Sequence, residues 1–197
     1  PDGIERLQAD VRAMDIEPDS VDVVVVRYGL KDIPQHQQPI VFANIQRLLK
    51  PGGVLVIADM VSPDGMKFRT NQQHSLKQEF NGRNIEEEGR CNIPTEDGWV
   101  DLLEEAGFQV ERISDYTSEV STSDWVKGKG NQISDEQRTQ MDRLLASEPR
   151  YFRQRFKIRG ANPLRIDFPV LIIRAVKPVI PVERDLVQVG NEFVVQF

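Results

Sequence analysis

The chain has 197 residues, of which 39% are hydrophobic and 28% charged, which suits one globular domain. Its net charge of −6 argues against nucleic acid as a partner, and no apolar run approaches the roughly 20 residues of a membrane span. The single cysteine, Cys91, excludes an intramolecular disulfide and, with no signal-type segment at the start, predicts a cytoplasmic protein that does not bind membranes.

The first part of the chain predicts a strand followed by a strand–helix–strand unit. Ile4–Ala9 alternates apolar and polar residues and runs into a polar loop at Asp10. Val21–Val26 is almost entirely β-branched, which is typical of a strand buried in a parallel sheet. A helix over Pro39–Leu49 then leads through a proline–glycine–glycine stop to a second buried strand over Val54–Ile57. We therefore expect a crossover between two parallel strands.

Caps and periodicity predict the elements of the second half. They are, in chain order, a helix over Lys67–Phe80, a helix over Thr95–Ala106, a strand over Phe108–Ile113, a helix over Ser134–Ala146 and a strand over Arg165–Val176. Pro169 lies inside the last strand and predicts an edge position or a bulge there, because proline cannot donate a ladder hydrogen bond. Beyond Lys177, two short apolar runs predict a hairpin around Gly190-Asn191.

One segment carries a resemblance to a known family. It reads VDVVVVRYGLKDIPQHQQPIVFANIQRLLKPGGVLVIADM from Val21 to Met60 and resembles the central block of class I S-adenosylmethionine-dependent methyltransferases. The Lys50-Pro51-Gly52-Gly53 turn between helix and strand is the most specific part. Arg27-Tyr28-Gly29-Leu30-Lys31 is similar to the corresponding turn in the quinone-biosynthesis C-methyltransferase branch, within the methyltransferase type 11 group.

The resemblance implies an α/β fold, a Rossmann-like three-layer sandwich that is truncated at its N-terminal side. Its mixed sheet would be parallel at the two buried strands and antiparallel at a closing strand over Leu171–Val176. We expect residues 1–177 to form the methyltransferase-like domain, with insertions at 62–92 and 118–159 near the substrate, and residues 178–197 to form a C-terminal tail.

The resemblance also implies S-adenosylmethionine as the cofactor, held across the carboxyl ends of the parallel strands. Asp10 and Val11 would hold its adenine, and Arg27, Tyr28 and Gly29 would line the sulfonium side. Asp10 has an alternative interpretation as a residue that caps a turn.

Methyl transfer to a small molecule depends mostly on positioning, so the lack of a catalytic triad or metal cluster does not argue against it. A base is needed only if the acceptor loses a proton, and the candidates are then His36, Tyr28, Asp59 and His74. Each of them can equally be structural or face solvent. Two histidines and one distant cysteine have no zinc-type spacing, so we expect no metal.

The sequence departs from the family pattern in its first part. Only Gly3 and Gly29 precede Gly52, and neither belongs to a G-x-G-x-x-G turn of the kind that lets backbone approach the cofactor. The acidic residue that would hold the ribose is missing too. Each lost charged hydrogen bond is worth roughly 1.5–3 kcal/mol, so we expect this chain alone to bind S-adenosylmethionine weakly or not at all.

Three hypotheses remain open at this point. The chain is part of a small-molecule methyltransferase and is incomplete as given, which predicts an exposed apolar sheet edge at Val21–Val26. Alternatively, it is a catalytically inactive module that forms a homodimer or docks a partner subunit through that edge. In the third, the strand over Ile4–Ala9 occupies the neighbouring position and reshapes the pocket for another ligand.

Overall fold

The computed structural model describes residues 7–127 and 133–179, together with the backbone of residues 186–189 and 192–195. The helices in these ranges are α1 (Gln38–Leu48), α2 (Lys67–Phe80), α3 (Ile85–Glu88), α4 (Glu96–Glu105), α5 (Thr122–Lys127), α6 (Asp135–Ser147) and α7 (Arg150–Arg155). The strands are β1 (Val21–Arg27), β2 (Leu49–Met60), β3 (Gln109–Ser121), β4 (Arg165–Val176), β5 (Leu186–Val189) and β6 (Glu192–Val195).

Four strands form one mixed sheet in the order β1-β2-β4-β3. β1 and β2 are parallel, and α1 connects them, while β4 is antiparallel to both β2 and β3. The predicted mixed sheet with an antiparallel closing strand is therefore confirmed. β5 and β6 form a separate antiparallel pair, and the turn expected at Gly190-Asn191 lies outside the described residues.

The proline–glycine–glycine segment lies inside β2 rather than between the helix and the strand. Val21 pairs with Leu49 but Val23 pairs with Val54, so the residues between Leu49 and Val54 bulge out of the ladder. A side chain at Gly53 would place its Cβ 2.7 Å from the carbonyl oxygen of Lys50. Glycine is therefore required there for a steric reason.

Helices α1 and α4 cover one face of the sheet. Phe42 of α1 and Trp99 of α4 meet edge to face with their ring centroids 6.3 Å apart. The core that they form with the sheet consists mainly of Leu30, Val41, Phe42, Ile45, Leu49, Leu55, Ile57, Trp99, Leu103, Phe108, Leu171, Ile173 and Ala175.

The opposite face of β1 is open to solvent in the described part of the chain. Val23 is 54% exposed and Val25 is 69% exposed, although both belong to a strand made mostly of valine. β1 pairs with β2 along one edge and with no other described strand. Among the described residues, the sheet thus has an unpaired apolar edge at the position where the sequence predicts one.

A second core lies at the far end of the antiparallel β3–β4 pair. It joins α2, α5, α6 and α7 through Met60, Ile93, Trp125, Val126, Ile133, Met141, Leu145, Phe152, Phe156, Leu164, Ile166 and Phe168. Ser134 caps α6 through a full capping box with Gln137. These helices gather the segments 62–92 and 118–159 at one end of the sheet.

Two expectations about strands are wrong. Leu7–Ala9 form no strand, and the residues before them lie outside the described part. β4 is a central strand, not an edge strand, and it has no bulge at Pro169. The carbonyl of Pro169 accepts from Val61, just after β2 ends, and a residue's N and C=O point to the same side of a strand. The missing N–H therefore faces the point where β2 leaves the sheet.

None of the described helices is long and apolar enough to cross a membrane.

Candidate functional site

The carboxyl ends of β1 and β2 lie side by side at one end of the sheet, and we call this end the rim. Tyr28 follows β1 with its backbone N–H bonded to the Ala58 carbonyl at 3.0 Å and with a φ of 53°. A tyrosine in this left-handed region is uncommon and strained, and such strain concentrates at functional sites. The strained residue lies where the sequence predicts the cofactor turn.

The Asp59 carboxylate holds this turn from below. It is 1% exposed and accepts hydrogen bonds from the backbone N–H groups of Leu30 (2.9 Å), Lys31 (3.3 Å) and Met60 (2.7 Å). Burial raises the pKa of Asp59, and the amide bonds and the charge of Lys31 oppose that rise. Asp59, a candidate base from the sequence, is thus placed as a support for the turn backbone.

The loop that contains Asp10 and Val11 docks on α1 next to the rim. The side-chain amide of Asn44 donates to the Val11 carbonyl at 2.8 Å. Arg47 donates to the carbonyls of Met14 (2.8 Å) and Ile16 (2.9 Å). The crossover helix therefore fixes the loop through side-chain to backbone bonds, and this explains why the segment is irregular.

Arg12 engages the carboxylate of Asp10. Its Nε donates to both carboxylate oxygens at 2.8 and 3.0 Å, and its backbone N–H donates at 2.9 Å. These bonds lower the pKa of Asp10 to about 2. The Asp10 carbonyl also accepts from Ala13 in a turn. Asp10 is exposed and ionised at the rim, and the turn-capping interpretation fits its geometry too.

The Tyr28 ring lies between two cations and a second tyrosine. The guanidinium carbon of Arg27 is 5.3 Å from the ring centroid, and the Lys31 ammonium is 5.6 Å from it. The Tyr28 hydroxyl is 2.8 Å from the Tyr116 hydroxyl of β3. Burial and this bond raise the pKa of Tyr28, so the phenol stays neutral and is a poor base near pH 7.

Asp32 connects the rim to α2. Its carboxylate is 2.8 Å from the Lys31 ammonium and 3.0 Å from Nε2 of His74, and its carbonyl accepts from the Cys91 thiol at 3.2 Å. Burial by itself would raise the pKa of Asp32, but the bond to His74 and the charge of Lys31 lower it overall. Burial raises the pKa of Cys91 to about 11, so the thiol is unreactive.

The two histidines have very different surroundings. His74 is 1% exposed, and burial lowers its pKa, so the ring is neutral and Nε2–H donates to Asp32. No described residue bonds its Nδ1. His36 is exposed, and its Nε2 is 3.2 Å from the Gln37 amide nitrogen. Of the two, only His74 belongs to the cluster behind the rim.

A family model for the methyltransferase domain matches residues 3–113, more than half of the chain. The chain belongs to the methyltransferase domain family. A comparison with curated protein sequences finds no match.

Two solved structures resemble this methyltransferase domain along most of its length. A proposed methyltransferase from Bacillus halodurans is 20% identical, with 87% of this chain and 70% of that one covered and a TM-score of 0.74. The YcgJ protein from Bacillus subtilis is 15% identical, with the same coverage and a TM-score of 0.73. At these identities the likeness concerns the fold, and the predicted Rossmann-like class is confirmed.

The rim of this methyltransferase domain leaves polar groups accessible. No described residue accepts a hydrogen bond from the Val11 amide, and the exposed Asp10 carboxylate lies beside it. Asn44 of α1 holds the Val11 carbonyl, and Arg12 holds the Asp10 carboxylate while also donating to Gln37 just before α1. Gly29 is exposed directly above the clamped turn, so backbone is accessible there.

Several residues around this rim were not predicted as site residues. Lys31 ends the recognised turn and Asp32 follows it, so their place beside that motif was the available signal. Tyr116 and Trp125 come from β3 and α5, and no local pattern marks them. Among the described residues, no group of three metal-ligating side chains occurs.

Proposed function

We propose that this chain is the catalytic part of an S-adenosylmethionine-dependent methyltransferase that acts on a small-molecule acceptor. The observation that carries the proposal is the rim itself. Asp59 clamps the turn after β1 from below, and α1 holds the Asp10–Val11 loop beside it. Polar groups of two separate segments are thereby fixed at the carboxyl ends of parallel strands, the usual ligand position in open α/β sheets.

In this proposal Asp10 and Val11 hold the adenine, and Arg27, Tyr28 and Gly29 line the sulfonium side. The cofactor supplies an activated methyl group when it is bound. The chain contributes position, because rigid placement of acceptor and donor accounts for most of the rate in such transfers. The clamp on the turn and the docked loop are the devices that provide this rigidity.

We assign the segments 62–92 and 118–159 to the acceptor side of the site. The buried Glu148, between α6 and α7, accepts from Arg69 and Gln73 of α2, each at 2.8 Å. This bond set joins the two segments into one unit at the end of the sheet. Tyr28 packs against the same core, so the unit borders the rim.

A thermal-shift titration with S-adenosylmethionine and S-adenosylhomocysteine tests the proposal. Ligand at about 100 times its Kd adds about 2.7 kcal/mol, which raises the Tm of a domain of this size by roughly 5–10 °C. We expect a saturable rise that Asp10→Ala weakens and that Asp135→Ala, an exposed aspartate of α6, leaves unchanged. No rise up to millimolar ligand would contradict cofactor binding by this chain.

A second function is favoured by the open edge of β1. Val23 and Val25 are more than half exposed, and the outer edge of β1 has no partner in the described part of the chain. We propose as the alternative a catalytically inactive assembly module, which forms a homodimer or docks a partner subunit there. Sedimentation of the purified chain at high concentration tests the homodimer form, and a monomer at every concentration would exclude it.

A further inference from the structure

A cavity of about 870 Å³ lies along one face of α2, away from the rim. Its walls come from α2, from α3 and the loop that follows it, and from α6. None of the residues that we assign to the cofactor lines it. Pockets for small organic molecules measure roughly 300–1,000 Å³, so the cavity has room for a ligand of its own.

Two cations without a partner line this cavity. Lys67 begins α2 and Arg90 follows α3, and both are exposed. Neither forms an ion pair with any described residue, although the chain carries a net charge of −6. α2 also begins without a side-chain cap, so the positive end of its dipole is not neutralised there. An anionic group is therefore favoured at this end of the cavity.

Ser75 offers an unused hydroxyl group to the same cavity. It lies about 12 Å further along the axis of α2 than Lys67, from eight residues at roughly 1.5 Å each. Ser75 is only 8% exposed and lines the cavity, yet no described residue hydrogen-bonds to its hydroxyl. On the same helix, by contrast, the Thr70 hydroxyl donates to the Met66 carbonyl at 3.1 Å. Buried hydroxyls are normally bonded, so that of Ser75 points to a polar atom of a ligand.

Apolar side chains lie between and around these polar groups. Phe68 is 76% exposed, and it lines the cavity together with the half-buried Leu76 and Leu144. A hydrocarbon body placed there would remove this apolar surface from water, which is favourable. The cavity thus has a cationic end, an apolar wall and a neutral polar group.

The charges in the lining limit the ligand to a single negative charge. Glu79 lines the same cavity, so its two cations exceed its one carboxylate by a single charge. A second cavity of about 560 Å³ shares Lys67 and Arg90 with the first and adds Asp101 and Glu105 of α4. These carboxylates repel a further anionic group on that side. The body of the ligand therefore belongs in the first cavity.

We propose that the cavity along α2 binds an aliphatic carboxylic acid that carries an uncharged polar group, such as a hydroxyl, near its other end. The carboxylate accepts hydrogen bonds from the Lys67 ammonium and the Arg90 guanidinium. The hydrocarbon body lies against Phe68 and Leu144, and the Ser75 hydroxyl bonds to the distal group. Binding here does not require a cofactor at the rim.

Isothermal titration calorimetry with four molecules of equal chain length tests this proposal. They are 8-hydroxyoctanoate, octanoate without the hydroxyl, 1,8-octanediol without the carboxylate, and octanedioate with two carboxylates. We expect saturable binding of 8-hydroxyoctanoate to the full chain. The diol should bind at least about 10-fold more weakly and octanoate about 3- to 10-fold more weakly, because each lacks one of the hydrogen-bonding groups. Octanedioate should bind no more tightly than 8-hydroxyoctanoate.

Variants assign each end of the ligand. Lys67→Gln and Arg90→Gln should each weaken 8-hydroxyoctanoate about 3- to 10-fold and change the affinity for the diol little. Ser75→Ala should remove the preference for 8-hydroxyoctanoate over octanoate. The matched control is Arg155→Gln, an exposed arginine of α7 that should leave all affinities unchanged. Circular dichroism and Tm establish that each variant is folded.

Four results would overturn the proposal. They are no saturable binding of 8-hydroxyoctanoate, equal affinity for the diol, a hydroxyl preference that survives Ser75→Ala, and tighter binding of octanedioate. A competition titration separates this site from the rim, since S-adenosylhomocysteine should not displace the acid. Displacement would place the acid at the rim and would likewise contradict a site along α2.

Discussion

Asp59 is a buried carboxylate that stabilises the backbone of the candidate site without lining it. It is almost fully buried and accepts three backbone N–H groups from two segments, the turn after β1 and the end of β2. Charge-assisted bonds of this kind are roughly twice as strong as neutral ones. The strained conformation of Tyr28 can persist because the residues after it are fixed in this way.

We expect Asp59→Asn to destabilise the protein by about 1–3 kcal/mol, because its amide nitrogen would face a backbone donor. For a domain of this size the Tm should fall by roughly 2–12 °C in a calorimetric scan. Asp64→Asn is the matched control, since Asp64 is exposed, and it should change the Tm little. Equal effects of the two substitutions would argue against the clamp.

The lowered pKa of His74 makes a pH dependence predictable. Its folded-state pKa lies below the ordinary value of 6.5, so the unfolded chain binds the proton more readily. The stability from the neutral ring is therefore present above pH 6.5 and is lost as the pH falls through this value towards the folded-state pKa.

Urea unfolding of the original chain and of His74→Gln between about pH 5 and 8 measures this contribution. The original chain should lose stability on acidification, and His74→Gln should lose less. The difference between the two slopes isolates His74, because Asp32, Asp59 and the other titrating groups are present in both chains. Identical slopes would show that His74 is not buried as described.

At the scale of elements, the two faces of β1 differ most clearly. Val24 packs against the core under α1, whereas Val25 is 69% exposed on the other face. Successive side chains of a strand point to opposite faces, so one of two neighbouring valines is buried and the other is exposed. The sequence predicted β1 as buried on both faces, and the described residues cover one of them.

Paired substitutions measure this asymmetry. Val24→Thr should cost about 1–3 kcal/mol, because it places a hydroxyl against the core. Val25→Thr should stay within about 0.5 kcal/mol, as surface substitutions usually do. Denaturant unfolding of the two variants at low protein concentration provides the comparison. A cost for Val25→Thr equal to that for Val24→Thr would indicate that another chain covers this face.

At the scale of the whole molecule, the sequence predicts elements far better than it predicts which of them meet. α2 and β4 have the predicted bounds, because strong periodicity and clear caps are local signals. The rim residues follow β1 directly, so a resemblance in that segment could point to them.

The rest of the site is formed by contacts between residues that are far apart in the sequence. No local sequence pattern predicts such contacts. The bond between His74 and Asp32 joins residues 42 positions apart, and the bond between Tyr28 and Tyr116 spans 88 positions. Neither pair could be inferred from spacing, since each depends on how the end of the sheet is packed against α2 and β3. The central position of β4 was not predicted for the same reason. Pro169 is tolerated there because it lies where β2 ends, and the sequence does not show this.

Hydrogen–deuterium exchange of the full chain, with and without S-adenosylhomocysteine, tests the proposed site most directly. We predict slower exchange at residues 8–13 and 28–32, which form the docked loop and the clamped turn, and no change in α6. Protection confined to other segments, or none at saturating ligand, would contradict a cofactor site at the rim.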